Sequence, residues 1–178
     1  MILVNINPNY LIDELEFALN KVQCEALVMT CGLKNINYDG MINKLAPELN
    51  QTKNGQELKS KKLPNLKWII KLDNTAKMNS GTINLNDISN MGRKIENIKH
   101  LKEVESQICP EDPTSIQFTS GTTGFPKAAL LSHYSIINNS HLIGRRLNYT
   151  ENDTICMIPP NTITLACRFK VLFSFYLI

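Results

Sequence analysis

The chain has 178 residues, the length of one globular domain. Its composition is 43% hydrophobic and 20% charged, with 8 Gly and 8 Pro, which excludes a collagen, a coiled coil and a wholly disordered chain. The net charge is only +3, from 19 Lys and Arg against 16 Asp and Glu, so it does not favour a nucleic acid as the partner.

The cysteines and the sequences at the two ends of the chain are informative about the cellular compartment of the protein. Five cysteines, an odd number without a CxxC pair, predict neither a disulfide framework nor a zinc site and favour a reducing compartment. The amino end carries no recognisable secretory signal or Arg-rich presequence. The longest apolar stretch, residues 171–178, is far shorter than the ~20 residues of a membrane-spanning helix. We therefore expect no transmembrane segment.

The spacing of apolar residues predicts strands and helices that alternate along the chain. In chain order these are a strand at residues 2–6, a helix at 9–22, a strand at 25–29, a helix at 39–49, a strand at 67–72, a helix at 95–104, strands at 114–119 and 128–131, a helix at 132–147 with Ser132 as its N-cap, and a strand at 153–158. Residues 51–62 and 73–84 are polar and predict surface segments. The alternation predicts an α/β fold, a mostly parallel sheet with helices on both faces.

One loop has the composition of an anion-binding site. It follows the strand that ends at residue 119, and its sequence from Thr119 is TSGTTGFPK. The glycines let backbone N–H groups approach an anion, the hydroxyl groups donate to phosphate oxygens or bind magnesium, and Lys127 adds a positive charge. The spacing is not that of a Walker A loop or of GxGxxG. On composition alone, a surface Gly/Thr loop that joins two strands remains an equal alternative.

The run TSGTTGFPK, followed by AALLSHYSIINNS, resembles the phosphate-loop signature of the adenylate-forming enzymes, which include acyl-CoA synthetases, luciferases and peptide-synthetase adenylation domains. Residues 2–27 resemble an earlier block of the same family, in which an Asn-Pro turn leads into an acidic amphipathic helix and a buried strand. The two blocks are most similar to those of medium-chain fatty acyl-CoA synthetases. The resemblance covers most of residues 1–160.

The resemblance implies an acid–thiol ligase that uses ATP and Mg²⁺, with CoA as co-substrate. ATP and a fatty acid would give an acyl-adenylate and pyrophosphate, and CoA would then displace AMP. The residues that would hold the β- and γ-phosphates are Thr119, Ser120, Gly121, Thr122, Thr123, Gly124, Phe125, Pro126 and Lys127. Magnesium would arrive with ATP rather than in a protein cage, with Thr123 as a contact. Ala128 departs from the glycine usual in the family, and no catalytic residue is assigned.

The same resemblance implies a partial domain. We expect residues 1–160 to be part of an AMP-binding domain, residues 161–178 to be a divergent apolar tail, and the family's carboxy-terminal domain to be absent. The chain would then be a fragment of a fatty acyl-CoA synthetase that keeps the phosphate loop and is inactive alone. The alternative is a non-enzymatic truncated product. Similar enzymes work in mitochondria, and the oligomeric state is left open.

Other residues that could carry chemistry have structural explanations. His100, His133 and His141 lack a recognisable Cys or Asp partner in sequence, and we expect structural or solvated roles. Cys24, Cys31 and Trp68 are predicted core residues. Arg145 and Arg146 suit the negative end of their helix.

Overall fold

The structure is a computed structural model that describes residues 1–33, 35–53, 55–72, 81–93, 95–119, 126–150 and 152–153. The chain divides into two compact units: a central unit, Pro8–Ser106, and a loop-bearing unit, Met1–Asn7 with Gln107–Ile178. The elements in chain order are β1 (Leu3–Asn5), α1 (Ile12–Lys21), β2 (Ala26–Met29), β3 (Gly32–Leu33), β4 (Ile36–Asn37), α2 (Tyr38–Leu45), a 3₁₀ turn (Pro47–Asn50), β5 (Trp68–Lys71), β6 (Thr82–Asn84), α3 (Leu85–Gly92), α4 (Ile95–Ser106), β7 (Pro113–Thr119), β8 (Lys127–Ser132) and α5 (His133–Leu147).

The strands form two three-stranded sheets and a hairpin. In the central unit, β2, β5 and β6 are parallel and lie in that order. In the loop-bearing unit, β7 lies between β1, which is parallel to it, and β8, which is antiparallel. The predicted α/β class is confirmed, although the strands divide between two sheets. The predicted strand at 153–158 lies, from residue 154 onward, outside the described residues.

The apolar core of the central unit follows the predicted periodicity. α1 buries Leu15, Ala18 and Leu19 at helical spacing, and its first free N–H group, that of Leu11, donates to Glu14 Oε2 at 2.8 Å. The other buried apolar side chains of this unit come from the sheet, from α2 and from the segments that follow α2: Met29, Ile42, Leu45, Ala46, Leu49, Leu58, Leu63, Leu66 and Ile69. Each such side chain contributes about 1.5–3 kcal/mol when its apolar surface leaves water. The core of the central unit is therefore built from side chains of several short elements that pack against one another.

The single helix predicted at residues 39–49 is interrupted before Pro47. The structure has α2 up to Leu45 and then a separate 3₁₀ turn. Proline has no N–H group for a helical bond and restricts the residue before it, and Ala46 accordingly adopts φ −131° and ψ 71°. The start of α2 is fixed by Asn37, whose Oδ1 accepts a hydrogen bond from Gly40 N at 2.8 Å.

The polar segment at 51–62 is a surface segment with two buried anchors. Leu58 and Ser60 are buried while most of their neighbours are exposed. Leu58 N donates to Lys67 O at 2.9 Å, and Ser60 Oγ accepts from Leu63 N at 3.3 Å. In the other polar segment, residues 73–80 lie outside the described residues, and its last residues form β6.

The hairpin of β3 and β4 was not predicted from the sequence. It depends on the close approach of two backbones at Gly32, where an added Cβ would lie 2.5 Å from Ile36 O. Only glycine fits this position without a shift of the chain. None of the helices in the described ranges combines the length and the apolar character that a membrane-spanning helix needs.

A buried ion pair joins the end of the central sheet to α2. The side chain of Lys71, the last residue of β5, is 0% exposed, and its Nζ lies 2.8 Å from Asp39 Oδ2 in the first turn of α2. The Asp39 side chain keeps 25% of its surface in water. Without Asp39, the Lys71 ammonium group would be fully buried without a counter-ion. Without Lys71, the Asp39 carboxylate would keep a partly exposed side chain, but its Oδ1 is buried and has no hydrogen-bond partner.

We expect Asp39→Ala to lower the free energy of unfolding by about 3–5 kcal/mol, because it leaves the Lys71 charge buried and unpaired. Lys71→Met should cost less, because it removes the fully buried charge and leaves the Asp39 carboxylate, whose side chain is 25% exposed, without its counter-ion. Urea denaturation measures both values.

The exposed pair between Lys67 and Glu25, 3.1 Å apart with side chains 41% and 68% exposed, is the matched control. Glu25→Ala should change the free energy of unfolding by less than about 1 kcal/mol. Equal losses for Asp39→Ala and Glu25→Ala would contradict the importance assigned to the buried pair.

Candidate functional site

The two strands on either side of the candidate loop fix its ends. β7 and β8 are paired in antiparallel register from Ser115↔Leu131 to Thr119↔Lys127. Residues 120–126 therefore connect adjacent strands of one sheet as a hairpin loop. Of the predicted phosphate-binding residues, Thr119, Pro126 and Lys127 are described, whereas Ser120, Gly121, Thr122, Thr123, Gly124 and Phe125 lie outside the described residues.

Thr119 and Lys127 close the base of this loop. They are register partners, and the Thr119 hydroxyl group donates to Lys127 O at 3.4 Å. Both residues are exposed. No carboxylate in the described part of the chain forms an ion pair with Lys127, so its ammonium group is available to an external anion. The predicted loop thus begins at Thr119 and ends at Lys127, which face each other at the paired ends of β7 and β8.

The first N–H groups of α5 already have acceptors within the protein. Pro110 O accepts from Tyr134 N at 2.7 Å, Asp112 O accepts from His133 N at 3.2 Å, and Ser132 Oγ accepts from Ser135 N at 3.2 Å. This last bond confirms Ser132 as the N-cap. Since these donors are satisfied, α5 does not offer a free helix N-terminus to a phosphate.

The histidines do not form a catalytic group with the residues that the structure describes. His133 begins α5 and uses its backbone N–H group there. His141 is exposed on the same helix, and His100 is exposed on α4 with Nδ1 at 3.8 Å from Glu103 Oε2. An exposed ion pair of this kind contributes little to the free energy of unfolding.

The predicted core positions of the cysteines are only partly correct. Cys24 is half-buried; its Sγ lies 3.2 Å from Ala26 O, and burial raises the pKa of its thiol. Cys31 is exposed, so its predicted core position is wrong: it follows β2 at the turn into the β3 hairpin, where the chain leaves the sheet. Trp68 is half-buried on β5. Arg145 and Arg146 lie in the last turn of α5, as predicted, and the helix ends at Asn148 with φ 54°.

Two buried polar residues on β7, the strand that leads into the loop, were not identified from the sequence. Ser115 and Gln117 on β7 are 7% and 2% exposed, and Gln117 Nε2 donates to Ser115 Oγ at 3.1 Å. They alternate with the apolar side chains of the strand and share one face with Thr119. The available signal was a serine and a glutamine at alternate positions of the strand predicted at residues 114–119.

The chain belongs to the AMP-binding enzyme family, whose model matches residues 1–177. This match confirms the family that the loop sequence indicated. Among curated proteins, the chain is similar to the mitochondrial medium-chain acyl-CoA ligase ACSF2 of Danio rerio, with 39% identity over 162 residues, 90% of this chain and 26% of the relative. The human protein of the same name is 39% identical over 165 residues, 92% of this chain and 26% of the relative.

A solved structure has the same fold. The anthranilate CoA ligase AuaEII, crystallised with anthranoyl-AMP, superposes with a TM-score of 0.61 at 23% identity, over 85% of this chain and 24% of that one. The chain therefore spans about a quarter of the length of the proteins to which it is similar. The match to the AMP-binding family extends over residues 1–177 of the chain.

Removal of the α5 cap tests the helix that follows the hairpin. Ser132→Ala should lower the free energy of unfolding by about 1 kcal/mol, because Ser135 N loses its acceptor. Ser132→Asp keeps an acceptor at this position and should remain within about 0.5 kcal/mol of the wild type. Thermal denaturation of the two variants makes the comparison, and an equal loss in both would show that the cap is unimportant.

Proposed function

We propose that the chain is part of a fatty acyl-CoA synthetase and that the loop from Thr119 to Lys127 holds the β- and γ-phosphates of ATP. The observation that carries the proposal is the register pair Thr119↔Lys127, which closes a Gly/Ser/Thr loop beside an exposed ammonium group that has no carboxylate partner in the described residues. Membership of the AMP-binding family supports the nucleotide as ligand.

In the reaction that we propose for the whole enzyme, a carboxylate oxygen of the fatty acid attacks the α-phosphorus of ATP, and pyrophosphate leaves. Negative charge then increases on the departing phosphates, and in this proposal Lys127 and the backbone N–H groups of the loop stabilise it. This step needs no protein nucleophile. CoA then displaces AMP through its thiol group, which gives the thioester.

Mg²⁺ supplies further charge neutralisation on the phosphates when it arrives with ATP. Its preferred ligands are hard oxygens, and the loop is rich in hydroxyl groups, so the residues present fit the ion. We assign Thr123 as the residue that contacts it.

The names of the relatives support the finer assignments. Because ACSF2 is called a mitochondrial medium-chain acyl-CoA ligase, we propose a medium-chain fatty acid and CoA as substrates and a mitochondrial location. We further propose that residues 1–160 form the AMP-binding part, that residues 161–178 diverge from it, and that this chain alone binds phosphate without completing the reaction. A non-enzymatic product is the alternative for the chain as it stands.

Binding of magnesium tripolyphosphate to the ¹⁵N-labelled chain, followed by NMR, tests the phosphate site without requiring the rest of the enzyme. Lys127→Ala should weaken binding roughly tenfold, a change of about 1.4 kcal/mol, because an ion-paired donor is lost. The largest shifts should be those of Thr119 and Lys127.

Lys102→Ala is the matched control, because it removes the same charge from an exposed position on α4. It should leave the dissociation constant within about twofold of the wild type, since nonspecific attraction is screened at physiological salt. Equal weakening in both variants would assign the binding to net charge and would contradict the site.

Turnover is measured separately. ATP–pyrophosphate exchange that depends on a medium-chain fatty acid should be absent from this chain even where tripolyphosphate binds. Exchange by the folded chain would contradict the proposed inactivity and would support a complete ligase site.

A further inference from the structure

Positive charge is concentrated in the polar segment at residues 51–62. The segment holds four lysines and one glutamate, and its net charge of +3 equals the formal net charge of the whole chain. Acidic and basic side chains are therefore balanced in the rest of the sequence. Three of the lysines, Lys59, Lys61 and Lys62, fall within four consecutive residues, and all three are exposed.

Buried anchors fix the backbone from which these lysines project. Leu58, Ser60 and Leu63 are buried between and beside them. Ser60 Oγ donates to Leu45 O at 3.5 Å and accepts from Leu63 N at 3.3 Å. Leu58 N donates to Lys67 O at 2.9 Å. The segment is therefore tied to the end of α2 and to the residue before β5, and the lysine side chains leave from a fixed part of the surface.

The last turn of α1 adds a fourth exposed lysine to this surface. Asn20 Nδ2 donates to Lys62 O at 2.9 Å, so the carboxyl end of α1 lies against the segment. Lys21, the next residue of the helix, is exposed. We call these four residues, Lys21, Lys59, Lys61 and Lys62, the lysine patch.

The ammonium groups of the lysine patch form no ion pair with a carboxylate among the described residues. Glu48 lies beside the patch, where its Oε1 accepts from Lys61 N at 3.3 Å. Hydrogen bonds from its own backbone N–H group and from Lys61 N lower the pKa of Glu48, so this carboxylate is ionised and offsets one of the four positive charges. The patch therefore keeps an excess of positive charge that an external anionic surface can neutralise.

The residue types of the patch favour a lipid surface over other anionic partners. All four residues are lysines, which act as point charges, whereas arginine is the residue suited to bidentate binding of a single phosphate group. Residues 51–66 contain no aromatic side chain on which a nucleic-acid base could stack. Attraction to anionic headgroups needs neither feature, because it depends on the number of cationic side chains held near the membrane surface.

We propose that the lysine patch binds the surface of membranes that contain anionic lipids, as a peripheral electrostatic contact. Each lysine near the headgroups strengthens binding about fivefold. The contact weakens as salt shortens the distance over which charges interact, from ~10 Å at 0.1 M to ~3 Å at 1 M. The patch lies wholly in the central unit, so this contact is independent of the proposed phosphate site.

Flotation of the full chain with lipid vesicles tests the proposal. At ~0.1 M salt the chain should bind vesicles of phosphatidylcholine with about 30 mol% phosphatidylserine and should not bind vesicles of phosphatidylcholine alone. The double variant Lys61→Gln with Lys62→Gln should weaken partitioning onto the anionic vesicles roughly 25-fold, because two of the four cationic side chains are lost. Raising the salt to ~0.5 M should release the wild type.

The double variant Lys99→Gln with Lys102→Gln is the matched control. It changes the net charge by the same amount, and both lysines are exposed on α4, where Glu103 and Glu105 follow in the same helix. It should leave partitioning within about twofold of the wild type. All four substitutions are at exposed positions, so the melting temperatures should stay within a few degrees of the wild type.

Each of the other outcomes overturns the proposal. Absence of wild-type binding to the anionic vesicles excludes the lipid surface, and equal weakening by the two double variants assigns the binding to net charge. Equal binding to vesicles of phosphatidylcholine alone assigns it to apolar contacts. Binding of a single-stranded RNA instead of the vesicles, lost in the Lys61→Gln and Lys62→Gln variant, makes a nucleic acid the partner. If that variant does not fold, Lys59→Gln decides: partitioning about fivefold weaker supports the patch, and wild-type partitioning overturns it.

Discussion

The antiparallel register between β7 and β8 is the constraint on which the candidate site depends. It brings Thr119 and Lys127, the two ends of the glycine-rich segment, opposite each other. The same pairing leads into α5, whose first N–H groups are taken by Ser132 and by the backbone at Pro110 and Asp112. In the proposed site, the loop and Lys127 would therefore hold the phosphate without the N-terminus of α5.

The central unit is stabilised in a different way. Its sheet is covered by apolar side chains at helical spacing, and its single fully buried cation, among the described residues, is neutralised by Asp39 from the neighbouring helix. The loop-bearing unit instead buries serine and glutamine in the described residues. Hydrogen bonds offset the cost of burying these polar groups: Gln117 Nε2 donates to Ser115 Oγ at 3.1 Å, and Ser140 Oγ donates to Ile136 O at 2.8 Å.

The sequence predicted the elements whose patterns are local. α1 and α5 follow from 3.6-residue periodicity, and the cap at Ser132 follows from residue type. The short β3 and β4 strands could not be predicted, because they exist only through the close backbone approach at Gly32. The three residues of β6 form a strand only because β5 lies beside them. The family and the loop could be identified from the motif, whereas the Gln117 environment required the cross-strand register.

The pairing of β1 with β7 has a consequence for folding. Leu3 and Ser115 are neighbours in the sheet although about 110 residues separate them along the chain. In the sequence, the whole central unit falls between these two residues. Closing so long a loop has an entropic cost unless the intervening segment is already compact, and contacts between residues far apart in the sequence slow folding. During synthesis on the ribosome, β1 therefore emerges well before β7 and stays unpaired until β7 has been made. We expect the central unit to fold in that interval, which lowers the entropic cost of pairing β1 with β7.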